Sequence, residues 1–297
     1  MNIHKKFFII TLLIVSNVIS TVSHNVDLVI FSYDRPLQLF ALLESIEQYV
    51  YGLGTTHIIY RASSEQMNDA YNEVQNRFSN ATYIAQGSAP QADFKPLTLQ
   101  AVFDSPSAYI IFAVDDDVMT DYVDLDECVE LMEQYQAYGF YLRLGNNITE
   151  CYTEGHAYGL PTRVEVQPNV LAWNFKDGRG DWGYPNTVDL TLFRKKTIEP
   201  LFRSLNYRAP NSLEGTWAAH GQQVVATQIG LCYMNAKMVN LPLNIVQAEW
   251  HNKNMNFMTP QEMLTVFNEG KKIDIQPLYQ IKNKAPHMAY EPTFITR

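Results

Sequence analysis

Hydrophobic residues fall in short runs along this chain, and the runs alternate between two periods. Val26-Asp27-Leu28-Val29-Ile30-Phe31 is nearly continuous and rich in β-branched residues, which predicts a strand. Ser32-Tyr33-Asp34-Arg35-Pro36 breaks it, and Pro36 suits the first turn of a helix. Leu39, Leu42, Leu43, Ile46 and Val50 follow at helical spacing until Gly52 and Gly54 end the pattern. His57-Ile58-Ile59-Tyr60 is a second strand, 68–78 a polar helix, Thr82-Tyr83-Ile84 a third strand, and 95–103 a helical segment opened by Lys95. The five apolar residues Ile110-Ile111-Phe112-Ala113-Val114 then read as a strand buried on both faces. Such alternation predicts an α/β domain with a mostly parallel central sheet and helices on both faces.

Later elements are shorter. A helix is expected near 128–135, and a strand at Phe140-Tyr141-Leu142-Arg143-Leu144, stopped by Gly145. Residues 151–185 are rich in Gly, aromatic and polar residues and read as loops. The sheet resumes at Val188-Asp189-Leu190-Thr191-Leu192-Phe193, a helix covers 194–205, and an apolar edge strand is expected at 241–247. Thr259-Pro260-Gln261-Glu262 starts a helix that ends at Gly270, leaving an extended tail. Residues 25–252 form one domain on this reading, and 253–297 a C-terminal helix and tail.

Candidate chemistry sits where the apolar strand ends, in Asp115-Asp116-Asp117. Ligands of open α/β sheets bind just beyond the carboxyl ends of strands. Three adjacent carboxylates repel one another, and a divalent cation would relieve that cost. Hard oxygen ligands suit Mg2+ or Mn2+. A solvated acidic turn or an N-cap cluster fits the same residues. If the first and fourth strands are neighbours, Arg35 could face a diphosphate, whereas alone it reads as a surface partner of Asp34. No G-x-G-x-x-G and no P-loop occurs.

Composition narrows the picture. Asp and Glu number 31 against 22 Lys and Arg, a net charge of −9, which argues against non-specific nucleic-acid binding. Cys128, Cys151 and Cys232 match no disulfide framework or zinc pattern and read as small buried hydrophobes. Trp173 and Trp182 are sugar platforms or core residues. Glu214, in Ala209-Pro210-Asn211-Ser212-Leu213-Glu214, is either a functional carboxylate or a capping-box acid in the first turn of a helix. At the N-terminus, His4-Lys5-Lys6 precedes an apolar run over 7–19 and small residues near Ser20 and Ser23. Residues 1–24 therefore read as a signal peptide or signal anchor, placing the remainder in the secretory pathway or periplasm, or attached to a membrane.

Taken together, Ser-Tyr-Asp-Arg-Pro after the first strand, Asp-Asp-Asp after the fourth and a later Leu-Glu-Gly-Thr-Trp resemble GT-A-fold glycosyltransferases. The likeness is to family-2-like and N-acetylglucosaminyltransferase-like enzymes, over residues 26–252. It implies a nucleoside-diphosphate-sugar donor, UDP above all, and a hydroxyl acceptor of unspecified kind, glycan, lipid or protein. Asp115 and Asp117 resemble the family's DxD element, with Mn2+ or Mg2+ held by Asp117, Asp115 and, as a later ligand, His251. Ser32, Asp34, Arg35, Arg61, Lys95, Asp115, Asp116, Asp189 and Trp182 are the implied substrate-binding residues. Glu214 is the implied general base of an inverting transfer, with a Gly where family members usually carry a second acid. Two rival readings remain open: a secreted carbohydrate- or cation-binding protein on the same fold, without enzymatic activity, and a glycoside hydrolase with paired acids.

Overall fold

The computed structural model describes residues 25–246 and 254–297; the N-terminal apolar run and His251 lie outside the described residues. Nine strands form the central sheet: β1 (Val26–Tyr33), β2 (Leu53–Arg61), β3 (Thr82–Ala85), β4 (Tyr109–Val114), β5 (Gly139–Tyr141), β6 (Arg163–Gln167), β7 (Val170–Asn174), β8 (Thr191–Arg194) and β9 (Ile229–Tyr233). Their spatial order is β6-β7-β9-β5-β8-β4-β1-β2-β3. β4, β1, β2 and β3 are mutually parallel, and β9 is parallel to β5; β7 and β8 alone run against the other strands.

Among the described residues seven helices pack around this sheet: α1 (Pro36–Tyr49), α2 (Glu65–Arg77), α3 (Pro90–Phe103), α4 (Leu125–Gln134), α5 (Lys195–Ser204), α6 (Pro210–Val225) and α7 (Pro260–Asn268). The two-residue period of the strands sorts them between faces. Leu28, Ile30, Ile111 and Ala113 point to one side, into a core shared with Leu42 of α1, Met67 of α2, Cys128 of α4 and Phe267 of α7. Val29, Phe31, Ile110 and Phe112 point to the other, against Phe94 of α3, Phe202 of α5 and Trp217 of α6. Burying each such side chain contributes about 1.5–3 kcal/mol. Local signals agree with the packing. Pro36 and Pro260 open α1 and α7, and the Ser64 hydroxyl caps α2 by accepting from the Met67 N–H at 3.2 Å.

Three regions differ from the sequence expectation. Residues 151–185 contain the β6–β7 hairpin, which turns at Asn169 with φ +67°. Its first strand alternates Val164 and Val166 with polar residues, the mark of an edge strand. Residues 241–246 form no strand, since Pro242 has no N–H to give a ladder. The extended pairing lies just before, where Met238–Asn240 runs antiparallel to Asp117–Met119. Finally, the segment after 253 is no free tail. Met263, Leu264, Phe267, Ile273, Ile275 and Leu278 enter the core, and Lys271–Ile273 pairs with Phe294–Thr296. Among the described residues no helix is long and apolar enough to cross a membrane.

Candidate active site

A cleft of about 700 Å³ opens at the carboxyl ends of β1, β2 and β4, lined among others by Ser32, Arg35, Arg61, Asp115, Asp116, Asp189 and Glu214. Pairing of β1 with β4 is what brings the first-strand loop to the acid triplet: Phe31 sits opposite Val114, and the Asp115 N–H donates to the Phe31 carbonyl at 3.1 Å. Asp115 then accepts at Oδ2 from the Ser32 hydroxyl at 2.9 Å and the Tyr33 N–H at 3.0 Å. Arg35 Nη1 donates to Asp115 Oδ1 and to Asp116 Oδ2, both at 2.9 Å. The other edge of the guanidinium donates to Asn244, at 2.9 Å to Oδ1 and 2.6 Å to the carbonyl. Arg35 is therefore neither a surface residue nor paired with Asp34; it clamps two adjacent carboxylates that would otherwise repel.

Asp117 plays a different part. Its side chain is 0 % exposed and accepts from the Val114 N–H at 3.1 Å and Asn240 Nδ2 at 3.0 Å. It lies beneath the cleft and not on its wall, while Asp115 and Asp116 line it. Burial, then the nearby charges of Asp189 and Asp116, push the Asp117 carboxyl well above the usual carboxylate range. Burial likewise pushes Asp115 up to about 6, against the pull of Arg35.

The same cleft carries a second group of charges. Glu214 accepts from the Val188 N–H at 3.1 Å. It stands on the second turn of α6, whose first residue is Pro210 and whose Ser212 hydroxyl accepts from the Ala209 N–H at 3.0 Å. Ser212 fills the capping position, so Glu214 is no capping-box acid. Burial first, and then the charge of Asp189, raise its carboxyl to about 7. A helix N-terminus favours an ionised acid; at Glu214 desolvation and a like charge outweigh it. Arg143, 2 % exposed, pairs with Asp181 and lies 4.0 Å from Asp189 Oδ2. His287 Nε2 reaches to 3.8 Å of the same oxygen. Leu190, next to Asp189, is held at φ +36°, a strained conformation for a branched residue of the kind that clusters at functional sites.

Not every candidate arrives at the cleft. Lys95 Nζ donates to the Arg203 and Leu205 carbonyls at 2.9 and 2.6 Å, closing the end of α5, so it does not face a phosphate. Trp182 is 1 % exposed and donates from its indole to the Ile148 carbonyl at 3.0 Å; it is a core residue, as are Trp173 and Trp217. Asp34, at φ +52°, accepts from the Ser63 N–H at 2.7 Å and ties the β1 loop to the β2 loop without lining the cleft. Arg61 does line it, with its guanidinium 4.5 Å from the centre of the Tyr33 ring. Sequence reasoning missed Arg143, Asp181 and His287. Arg143 follows an apolar strand as the aspartates do and could have been found by that rule. His287 carries no local signal, because only tertiary folding returns the chain end to the cleft.

Among the described residues no three His, Cys, Asp or Glu side chains form a preassembled metal cage. Mg2+ and Mn2+ bound together with substrate phosphates need only one or two protein carboxylates. Burial first, and neighbouring acids after it, raise the carboxyls of Asp115, Asp117 and Glu214, and a divalent ion beside Asp115 and Asp116 in the cleft would offset the like charges.

No family model matches the chain. Over 200 residues it is 25% identical to the bifunctional glycosyltransferase pgtA of Dictyostelium discoideum, covering 61% of this chain and 25% of that protein. The chain thus spans about a quarter of the length of this relative. Among solved structures, S. aureus TarS 1-349 in complex with UDP aligns with a TM-score of 0.48 at 12% identity, over 71% of this chain and 58% of that one. The mannosyltransferase PcManGT from Pyrobaculum calidifontis, in complex with GDP-Man and Mn2+, aligns at 0.40 and 10% identity, over 69% and 53%. In sequence, then, 61% of this chain is similar to part of a curated glycosyltransferase.

Proposed function

We propose that the protein is a metal-dependent, inverting glycosyltransferase that moves a sugar from a nucleoside-diphosphate sugar, UDP foremost, to a hydroxyl acceptor. The observation that carries this reading is the meeting of two groups in one cleft: Ser32, Asp115, Arg35 and Asp116, joined by hydrogen bonds, and Glu214 with Asp189. The first group, with Arg61 and the Tyr33 ring beside it, offers stacking and hydrogen-bonding groups for a nucleotide. Asp116, with a neighbouring carboxylate, would hold Mg2+ or Mn2+ against the donor phosphates; the ion supplies charge that stabilises the departing diphosphate.

Glu214 would take the acceptor proton. A carboxyl near 7 is half ionised at neutral pH and matched in affinity to its task, as general bases are. One such carboxylate, pressing the acceptor oxygen onto the anomeric carbon from the side away from the diphosphate, inverts that centre. Asp189 borders Glu214, Arg143 and His287 and would orient sugar hydroxyls. Residues 1–24 would carry the domain into the secretory pathway or hold it at a membrane.

A thermal-shift series with UDP, UDP-sugars and GDP-mannose, with and without Mn2+, tests the reading. Ligands that bind the native state raise the melting temperature by mass action. A shift by a nucleotide sugar that grows with Mn2+ is expected; no shift by any of them in either condition would sink the proposal.

A further inference from the structure

Away from the cleft, aromatic rings gather where nothing in the proposed reaction needs them. Tyr51, Tyr122 and Tyr279 are 59 %, 49 % and 43 % exposed and come from three distant parts of the chain. They are packed as one group around the buried Tyr49. Tyr49 stacks on Tyr279 with ring centres 5.6 Å apart, and Tyr51 stacks on Tyr122 at 6.3 Å. Tyr122 meets Tyr49 and Tyr279 edge-on at 5.3 and 6.3 Å. The cluster lies at the far end of α1. That helix starts beside Arg35 and ends at Tyr49, so the cleft and the cluster are separated by about 20 Å at 1.5 Å per residue.

We propose that this cluster is a second binding site, separate from the cleft, for a neutral carbohydrate chain. Ring faces offer flat apolar surface to the C–H faces of sugars, and the phenol groups offer hydrogen bonds at the rim. Around them stand planar amides and one acid. Gln48 Nε2 donates to the Tyr49 hydroxyl at 3.0 Å, and Gln276 Nε2 to Gln48 Oε1 at 3.3 Å. Gln280 is held at φ +52°, and its amide donates to the Tyr279 hydroxyl at 3.2 Å and to Asp121 at 3.4 Å. At that backbone the Gln280 N–H donates to the Thr120 carbonyl at 2.7 Å, tying the turn that carries Tyr279 to the chain beside Tyr122.

Charge and size set this occupant above others. The basic group beside the cluster, Lys237, is engaged by Asp121 at 2.6 Å. Tyr51 pairs in register with Asp124, and Asp126 adjoins Gly52. Carboxylates repel anionic lipid and nucleic acid but accept from sugar hydroxyls. An aromatic side chain covers about 150–250 Å², so three rings roughly half exposed offer on the order of 300 Å². A stable protein interface needs about 800 Å² from each partner. The area suits two or three sugar rings.

Calorimetric titration of the described domain, held as the full chain, with chitotetraose, cellotetraose and mannotetraose tests the site, with UDP and Mn2+ as the control ligand for the cleft. Saturable binding of at least one tetrasaccharide is expected. Tyr51→Ala and Tyr122→Ala should each weaken it about three- to tenfold, the worth of one aromatic contact. Both variants should keep the wild-type affinity for UDP, and their melting temperatures show whether they fold. Tyr122→Phe, which keeps the ring, should retain most of the binding. No saturable binding by any tetrasaccharide, or binding that both alanine variants leave unchanged, overturns the proposal. So does a concentration-dependent dimer, or adsorption to phosphatidylcholine vesicles, that the same variants abolish without affecting a saccharide. Failure of UDP to bind bears on the cleft alone.

Discussion

Glu214 has its carboxyl at about 7, and the group that would take the acceptor proton must lose its own first. Glu214→Gln should fold and bind donor as the parent does but turn over slower by about two to four orders of magnitude. In the parent, kcat/KM should rise with pH through a midpoint near 7 and then level off. A glutamine variant with near-normal transfer would move the assignment to Asp189. The same residues make a statement about stability. Asp115, at about 6, and Glu214, at about 7, bind protons more tightly folded than unfolded. Between the ordinary carboxylate range near 4 and their folded values the native state holds the extra protons, so their contribution falls as pH rises from about 4 to 7. Urea midpoints measured without metal across that window should decline, and Asp115→Asn combined with Glu214→Gln should flatten the decline. An unchanged slope in the double variant would show that these carboxyls titrate normally.

Strands and helices bring these side chains to one cleft, and one buried pair holds their far ends in register. Lys195, at the start of α5, donates to Asp27 of β1 at 2.6 Å, with both groups nearly fully covered. Removing the lysine leaves a buried carboxylate alone, so Lys195→Met should cost about 3–5 kcal/mol in denaturant unfolding. A loss under about 1 kcal/mol would mean that water reaches Asp27. The legible part of the molecule lay in elements of this kind. β1 and β4 are buried on both faces because helices cover both, so their sequences ran nearly unbroken and the acids stood out at the end of β4. The β6–β7 hairpin was hidden by its polar edge strand and by aromatics that the core, not a ligand, absorbs. Lys95 and Trp182 were misplaced for one reason: residue type names a chemistry, while the direction of a side chain depends on what its element packs against. Asp117 belongs with them, since the chain turns at Asp115 and Asp116 and the pairing of Asp117–Met119 with Met238–Asn240 draws the Asp117 side chain to Asn240, leaving Asp115 and Asp116 to the cleft.

At the scale of the whole molecule, the proposal that residues 1–24 are a signal peptide or anchor makes a statement about where the cleft works. Intact-mass measurement and membrane fractionation of the expressed protein should find either a chain beginning near residue 24 or a full-length one in the membrane pellet. A full-length chain in the soluble cytoplasmic fraction would contradict both. The other end of the chain bears on when the cleft exists at all. Asn244 meets Arg35 across 209 positions, Lys272 reaches Glu44 across 228, and His287 arrives later still. Arg35 and Ser32 are made before the acid triplet, but Asn244, which holds the far edge of the Arg35 guanidinium, and His287, which borders Asp189, are made long after it. A chain emerging from the ribosome can therefore pair its first strands and clamp its acids before the cleft around them is complete. The late segment is the keystone of the cleft: it fixes the guanidinium that the first loop presents.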